Sequence, residues 1–456
     1  MNRRRFLKLA TAGAAASVAP SLALPADAPR ILRAEHAEQH LVGATNPETA
    51  VWAYGGTVPG PELRLRQGER LRIEVENALP VDTTVHFHGI RLPNAMDGVP
   101  NLTQAPIAKN GGRFMYEFDL PDAGTFWYHP HLGSPEQVGR GLYGALVVEE
   151  REPPAVDRDL VWVLSDWRLD RNARITGDFM SFMDASHAGR IGNTVTVNGA
   201  VRDVFAVRAG ERVRLRLINA SNARIYGLRF EGHEPWVIAL EGHPVAPRAA
   251  ERIVLGPAMR ADLVLDCKGD PGTRHRVIDD FYQRRAYRLL DLEYASDPAL
   301  RKTSGPVPSL PANPVTQPDL ARAERHRVVF GGGMMGAMPS QRTQRGMFWT
   351  VNGKVLPEGH HHPDPMLTLV RGKSYTLELI NDTSWHHPIH LHGHVFRVLE
   401  RNGRKVEGGE WGDTVLIDPD SRAEIAFVAD NPGDWMFHCH VLEHQASGMM
   451  AVIRVA

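Results

Sequence analysis

Cysteine is nearly absent. The 456 residues contain two, Cys267 and Cys439, so at most one bridge can form and a disulfide framework is excluded. Charge of one sign is also missing. Lys and Arg number 52 against 53 Asp and Glu, a formal net charge of -1, and nothing electrostatic draws nucleic acid to the chain. No apolar run is long enough to span a bilayer, so stable membrane insertion is not expected. Clear helical periodicity is lacking too, and only short helical turns are expected.

The N-terminus reads as an export signal. The basic "NRRRFLKLA" precedes the weakly apolar "LATAGAAASVAPSLAL", a signal-peptide order. The run Arg3 to Lys8, Arg-Arg-x-Phe-Leu-Lys, resembles a twin-arginine signal. Residues 1–28 are assigned to it, with cleavage between Ala23 and Ala28. Loss of Arg3, Arg4, Arg5 and Lys8 leaves a mildly acidic chain bound for the periplasm.

What the sequence has is repetition. "LRLRQGERLRIEVENAL" begins at Leu63, "FAVRAGERVRLRLINAS" at Phe205 and "LTLVRGKSYTLELINDTS" at Leu367. Each holds a turn glycine (Gly68, Gly210, Gly372) and an alternating strand ending in asparagine (Asn77, Asn219, Asn381). Alternation predicts strands with one face buried. The spacings, 210−68=142 and 372−68=304, fit β-sandwich units. The chain is therefore read as all-β: a first unit over 29–150, a second over 151–296, a Pro- and Ser-rich linker over 297–322 and a third over 323–456.

The offset of 304 carries His86 onto His390 and His88 onto His392; the offset of 142 puts Leu228 and Phe230 in the middle copy. "GTFWYHPHLG" aligns with "GDWMFHCHVLEH" at an offset of 433−124=309, placing His129 on His438 and His131 on His440. Residues i and i+2 of a strand share a face, so each His-x-His presents two imidazoles together. Imidazole pairs suit copper, zinc, iron or nickel. The outer copies are equipped for metal chemistry and the middle one is not. By contrast His360, His361 and His362 read as solvent-facing, His394 as structural, and His233 and His243 as ordinary residues.

Cys439 points away from the face of His438 and His440, so it serves a different metal. His387, His444 and Met449 are at hand. Two histidines, a thiolate and a weak axial methionine describe a blue-copper electron-transfer site. Cys267, in the apolar "DLVLDCKGD", reads as a buried free thiol.

The motifs "HFHG", "WYHPH", "HPIHLHGH" and "HCHVLEHQASGMM" together resemble the three-domain multicopper oxidases, the family of laccases, ascorbate oxidase and bacterial cuprous oxidases. The resemblance runs from about residue 40 to the end. It implies three cupredoxin-like Greek-key domains and four copper ions. By motif position, His387, Cys439, His444 and Met449 resemble type 1 ligands, and His86 and His390 type 2 ligands. His88, His129 and His440 resemble one type 3 set, and His131, His392 and His438 the other. It implies a monomeric oxidase that takes single electrons from a phenolic or aromatic compound, or from cuprous ion, and reduces dioxygen to water. Electrons enter at His444 or His387, on the edge of the type 1 site, and pass through Cys439. Asp97 sits where relatives carry a proton-supplying acid. Bacterial relatives often have Glu after the last type 1 histidine, where this chain has Gln445. "GGGMMGAMPS", with Met334, Met335 and Met338, is shorter than the Met-rich insert of cuprous oxidases and reads as a flexible or packing loop. A copper-sequestering protein of the same fold and a copper nitrite reductase are the competing readings; the complete ligand set argues against both.

Overall fold

The computed structural model describes residues 29–334, 346–356, 358–359 and 364–456. Residues 1–28, expected to be a signal, and Met335, Met338 and His360 to His362 lie outside them. Six sheets make three β-sandwiches, and the described helices are short, such as Ser134–Gly139, Phe182–Ser186 and Leu442–Ala446.

The repeat is structural. Strands Arg70–Asn77, Arg212–Asn219 and Ser374–Asp382 are equivalent. Each pairs in parallel with the first strand of its unit, Arg30–Gln39, Arg158–Trp167 or Glu324–Gly332. Each pairs antiparallel on its other side, with Gly112–Asp119, Arg260–Asp266 or Ser421–Val428. In each unit the chain passes through the facing sheet between the two parallel strands, which lie among antiparallel neighbours.

The middle copy departs from the expected half-burial. Arg212–Asn219 is buried at every position, while Arg70–Asn77 alternates. The arginine face of the middle strand is neutralised by Glu150 of the first unit and by Asp159 and Asp262 of its own. Arg214 donates to Glu150 at 2.7 Å and Asp262 at 2.7 Å, and Arg216 to Asp159 at 2.6 Å.

The repeated asparagine closes each strand. Asn77 Nδ2 donates to the carbonyls of Val81 and Ile107, Asn219 Nδ2 to those of Arg224 and Leu255, and Asn381 Nδ2 to those of Trp385 and Asp418. A side-chain amide thereby gives two carbonyls at each strand end a buried donor. In the third unit the tethered loop leads directly into His387. Asn219→Ala removes both of its bonds and is expected to cost about 1–3 kcal/mol, read as a lower urea midpoint with unchanged m.

Candidate metal centre

Strand His86–His88 lies antiparallel to Gly124–His129, with His86 opposite His129. Strand His387–Leu391 lies antiparallel to Gly433–Cys439, with His390 opposite His438 and Ile389 opposite Cys439. The same register is built twice, and the two copies face one another. His86 stacks on His392 at 3.9 Å between ring centroids and His88 on His390 at 3.7 Å. None of the eight rings is more than 2% exposed.

Their nitrogens converge. His438 Nε2 lies 3.0 Å from His392 Nε2 and 3.4 Å from His131 Nε2, and His129 Nε2 lies 3.4 Å from His440 Nε2. Three overlapping sets have ligand atoms within 4.8 Å of one another: His131, His392 and His438; His86, His88 and His129; His86, His390 and His392.

The outward nitrogens are tied down. His86 Nδ1 meets Asp97 O at 2.8 Å, His390 Nδ1 meets Asp413 O at 2.9 Å and His392 Nδ1 meets the Asp97 carboxylate at 2.9 Å. His88 Nε2 meets Asp413 Oδ1 at 2.9 Å. His129 and His438 are held through Nδ1 by the carbonyls of Pro130 and Cys439. An outer partner fixes tautomer and ring angle, the usual dress of a metal-binding imidazole. Meanwhile His86 Nε2, His88 Nδ1 and His390 Nε2 are buried without a hydrogen-bond partner. Burial, and repulsion between neighbouring rings, hold His131, His392, His438 and His440 well below the usual histidine range. The rings are neutral, with lone pairs to give.

A second pocket lies on the other face of Gly433–Cys439. His387 Nδ1 is 3.4 Å from Cys439 Sγ, His444 Nδ1 is 3.7 Å from it, and the two nitrogens are 3.2 Å apart. Thr383 Oγ1 holds His387 Nε2 at 2.8 Å, and the His187 carbonyl holds His444 Nε2 at 2.6 Å. Met449 is fully buried, and its carbonyl accepts from Cys439 N at 3.1 Å. Burial raises the Cys439 thiol well above its usual range, so a cation is needed to draw out the thiolate.

His444 and His387, the expected points of electron entry, are both 0% exposed. A middle-unit segment roofs the pocket. Besides the His187 bond, the Ala185 carbonyl accepts from Trp349 Nε1 at 2.6 Å, and Arg190 N donates to Glu443 Oε2 at 3.0 Å. Gly189 lets the backbone pass closely; a Cβ there would meet Val441 Cγ1 at 2.5 Å.

Cys267 is buried and free, its thiol pushed up to about 12 by burial. His233 pairs with the Tyr294 hydroxyl and His243 with Asn313, away from both pockets, while His394 Nδ1 lies 3.2 Å from the His392 carbonyl. Sequence reasoning missed Asp413, His187 and Glu358. Glu358 accepts from Ser134 Oγ at 2.5 Å and from Gln445 Nε2 at 3.4 Å.

Three multicopper oxidase family models match residues 36–153, 158–276 and 336–456. The multicopper oxidase MmcO of Mycobacterium tuberculosis is 31% identical over 442 residues, covering 88% of this chain and 82% of that one. The chain belongs to the multicopper oxidase family. A multi-copper oxidase from Pseudomonas thermotolerans superposes with a TM-score of 0.82 at 38% identity, over 94% of this chain and 100% of that one. A Campylobacter jejuni multicopper oxidase, described as a metallo-oxidase, superposes with 0.77 at 26% identity, over 93% and 90%.

The protein is thus an oxidoreductase with cupredoxin-like domains, using four coppers, dioxygen and a reductant. The partnerless inner nitrogens and the convergent thiol pocket fit that metal set. Fully loaded protein is expected to show four coppers per chain by elemental analysis, with an intense thiolate band in the red. Cys439→Ser should abolish that band and retain the cluster copper. A single copper per chain in loaded wild type would overturn this account.

Proposed function

We propose that this oxidase carries type 1 copper on His387, Cys439, His444 and Met449, and type 2 copper on His86 and His390. His88, His129 and His440 hold one type 3 copper, and His131, His392 and His438 the other. The observation that carries the reading is that Cys439 faces one pocket while its chain neighbours His438 and His440 face the other. Two metal environments are thereby joined by a single stretch of backbone. Both halves of the imidazole space come from one chain, which supports a monomer. We divide the chain as 29–150, 151–296, 297–322 and 323–456, with the middle unit free of copper.

Bound copper supplies one-electron acceptance in the thiolate pocket and reduction of dioxygen to water among the imidazoles. The protein's own residues do the rest. The roof excludes water from His387 and His444. Its surface is soft and apolar: Phe182 is 55% exposed and Met183 59% exposed, on the short helix packed against Leu442–Ala446. Thioethers suit cuprous ion, and the metallo-oxidase likeness favours it as the reductant. Phenolic compounds are the second reading, supported by Phe182 and by Trp385 beside His187.

Asp97 is the proton donor at the imidazoles, its Oδ2 2.9 Å from His392 Nδ1 and, unlike Asp413, held by no arginine among the described residues. Glu358 is a second acid, raised to about 7 by burial and bonded to Gln445. It offers a carboxyl beside the position where a side-chain acid is replaced by amide.

Stopped flow tests these roles together. Anaerobic bleaching of the red band should be faster with cuprous ion than with a phenol, and Phe182→Ala with Met183→Ala should slow it. Asp97→Asn should leave bleaching intact and slow the return of colour with dioxygen by about 100-fold or more, the scale of a lost general acid. Equal reoxidation rates would make Asp97 a bracing residue only.

The N-terminal order supports export to the periplasm by the twin-arginine machinery. Arg3→Lys with Arg4→Lys is expected to retain the protein in the cytoplasm; unchanged export in cell fractionation would reject that route.

A further inference from the structure

The middle unit contributes none of the metal-ready groups found among the described residues, yet one of its side chains reaches the imidazole space through a single intermediary. Arg260 is fully buried at the junction of all three units. Its Nη1 and Nη2 donate to Asp413 Oδ1 at 2.9 Å and Oδ2 at 2.5 Å, a two-bond fork to the third unit. Nη1 also donates to Glu241 of its own unit at 2.5 Å, and Nε to the Thr125 carbonyl of the first unit at 3.2 Å. Asp413 then touches one histidine from each outer unit: Oδ1 is 2.9 Å from His88 Nε2, and its carbonyl is 2.9 Å from His390 Nδ1.

An independent feature points the same way. Gly89 follows His88 at φ +87, and a Cβ there would lie 2.5 Å from Arg260 Nη2 and 2.7 Å from Asp413 Oδ2. The glycine of the first histidine motif leaves room for this ion pair. Glu241, the pair's other partner, holds a left-handed backbone at φ 49, a conformation that costs a non-glycine residue energy and persists where surroundings demand it.

We infer that Arg260 is a positioning residue for the type 2 copper. It fixes the rotation of the Asp413 carboxylate, whose Oδ1 lies 3.3 Å from Nδ1 of His390 as well as 2.9 Å from Nε2 of His88, and through it the ring angles of both. A buried ion pair adds little net stability over an apolar replacement. What the fork adds is direction, because guanidinium meets both carboxylate oxygens in one plane and an ammonium cannot. The metal-free unit thus sets the geometry of a metal site assembled from the other two. This inference rests on the proposed assignment of His390 to type 2 copper.

The test compares Arg260→Lys with Arg214→Lys in copper-loaded protein. Both arginines are buried in middle-unit strands, but Arg214 pairs with Glu150 and Asp262 and does not touch Asp413. The red band reports folding in the same sample, since His387, Cys439 and His444 make no contact with the fork. Arg260→Lys is expected to keep the red band, alter the type 2 electron paramagnetic resonance signal and bind that copper 10–100-fold more weakly in chelator competition, the usual loss for an outer-shell change. Arg214→Lys should leave signal and affinity as in wild type. Should Arg260→Lys fail to fold, Gly89→Ala, which crowds the fork without changing any charge, is expected to give the same altered signal. Wild-type signal and affinity in Arg260→Lys, or in a folded Gly89→Ala standing in for it, overturn the inference. So does an equal loss in Arg214→Lys. Absence of any type 2 signal from loaded wild type would instead overturn the ligand assignment on which it rests.

Discussion

Eight imidazoles share one dry space between two β-sandwiches, and this governs the rest of the molecule. They cannot be protonated together, because each charge would be desolvated and repelled by its neighbours. They cannot satisfy one another as neutral rings either, since the nitrogens that converge need protons to donate. His86 Nε2, His88 Nδ1 and His390 Nε2 remain without partners, a penalty a folded protein does not keep for nothing. Cations resolve the conflict by accepting the lone pairs, and copper belongs to the metals imidazole favours. The fold is arranged to hold that conflict in place: the same strand register occurs twice, with the backs of the rings fixed by Asp97, Asp413 and backbone carbonyls.

The middle unit shows how a copy that loses ligands is used. Its repeat strand exchanges half-burial for burial on both faces, with Arg214 bonded across to Glu150 and Arg216 to Thr125 of the first unit. Its segment over the thiolate pocket covers His444 and holds that ring through the His187 carbonyl. Both contributions are polar and directional where an apolar interface would have been simpler. Apolar contact would join the units but leave their relative rotation loosely fixed, and a cluster drawn from two units tolerates little rotation.

The sequence made much of this legible, for a definite reason. Strand period and repeat spacing are local, so His86, His129, His390 and His438 could be placed on common faces by counting, and Cys439 on the opposite face by parity. Asp413 escaped notice because an aspartate before a threonine at a strand start carries no periodic signal. Its role exists only once Arg260 and His88, from two other units, are docked against it. The roof over His444, which is 0% exposed, escaped for the same reason. One signal was available in retrospect: alternating arginines in "RVRLRLIN" are too polar for a strand buried on both faces unless carboxylates meet them, as Asp266 and Asp159 of the same unit and Glu150 of the first do.

Gln445 illustrates how a local departure can be offset from a distant segment. Its amide lies in the short helix that carries His444, where an acid would have had to be buried beside Glu443, whose own carboxyl burial already raises. A second carboxyl in the same turn would add like-charge repulsion whenever both ionised. The amide removes that cost and donates to Glu358 at 3.4 Å. Glu358 also accepts from the hydroxyl and backbone of Ser134, at the start of the helix following His131. The carboxyl is thus spanned between the segments behind two cluster histidines, one from each outer unit. Glu358 is supplied by a third-unit segment, so its position depends on how the outer units dock. The docking that closes the imidazole space therefore also sets the position of this acid.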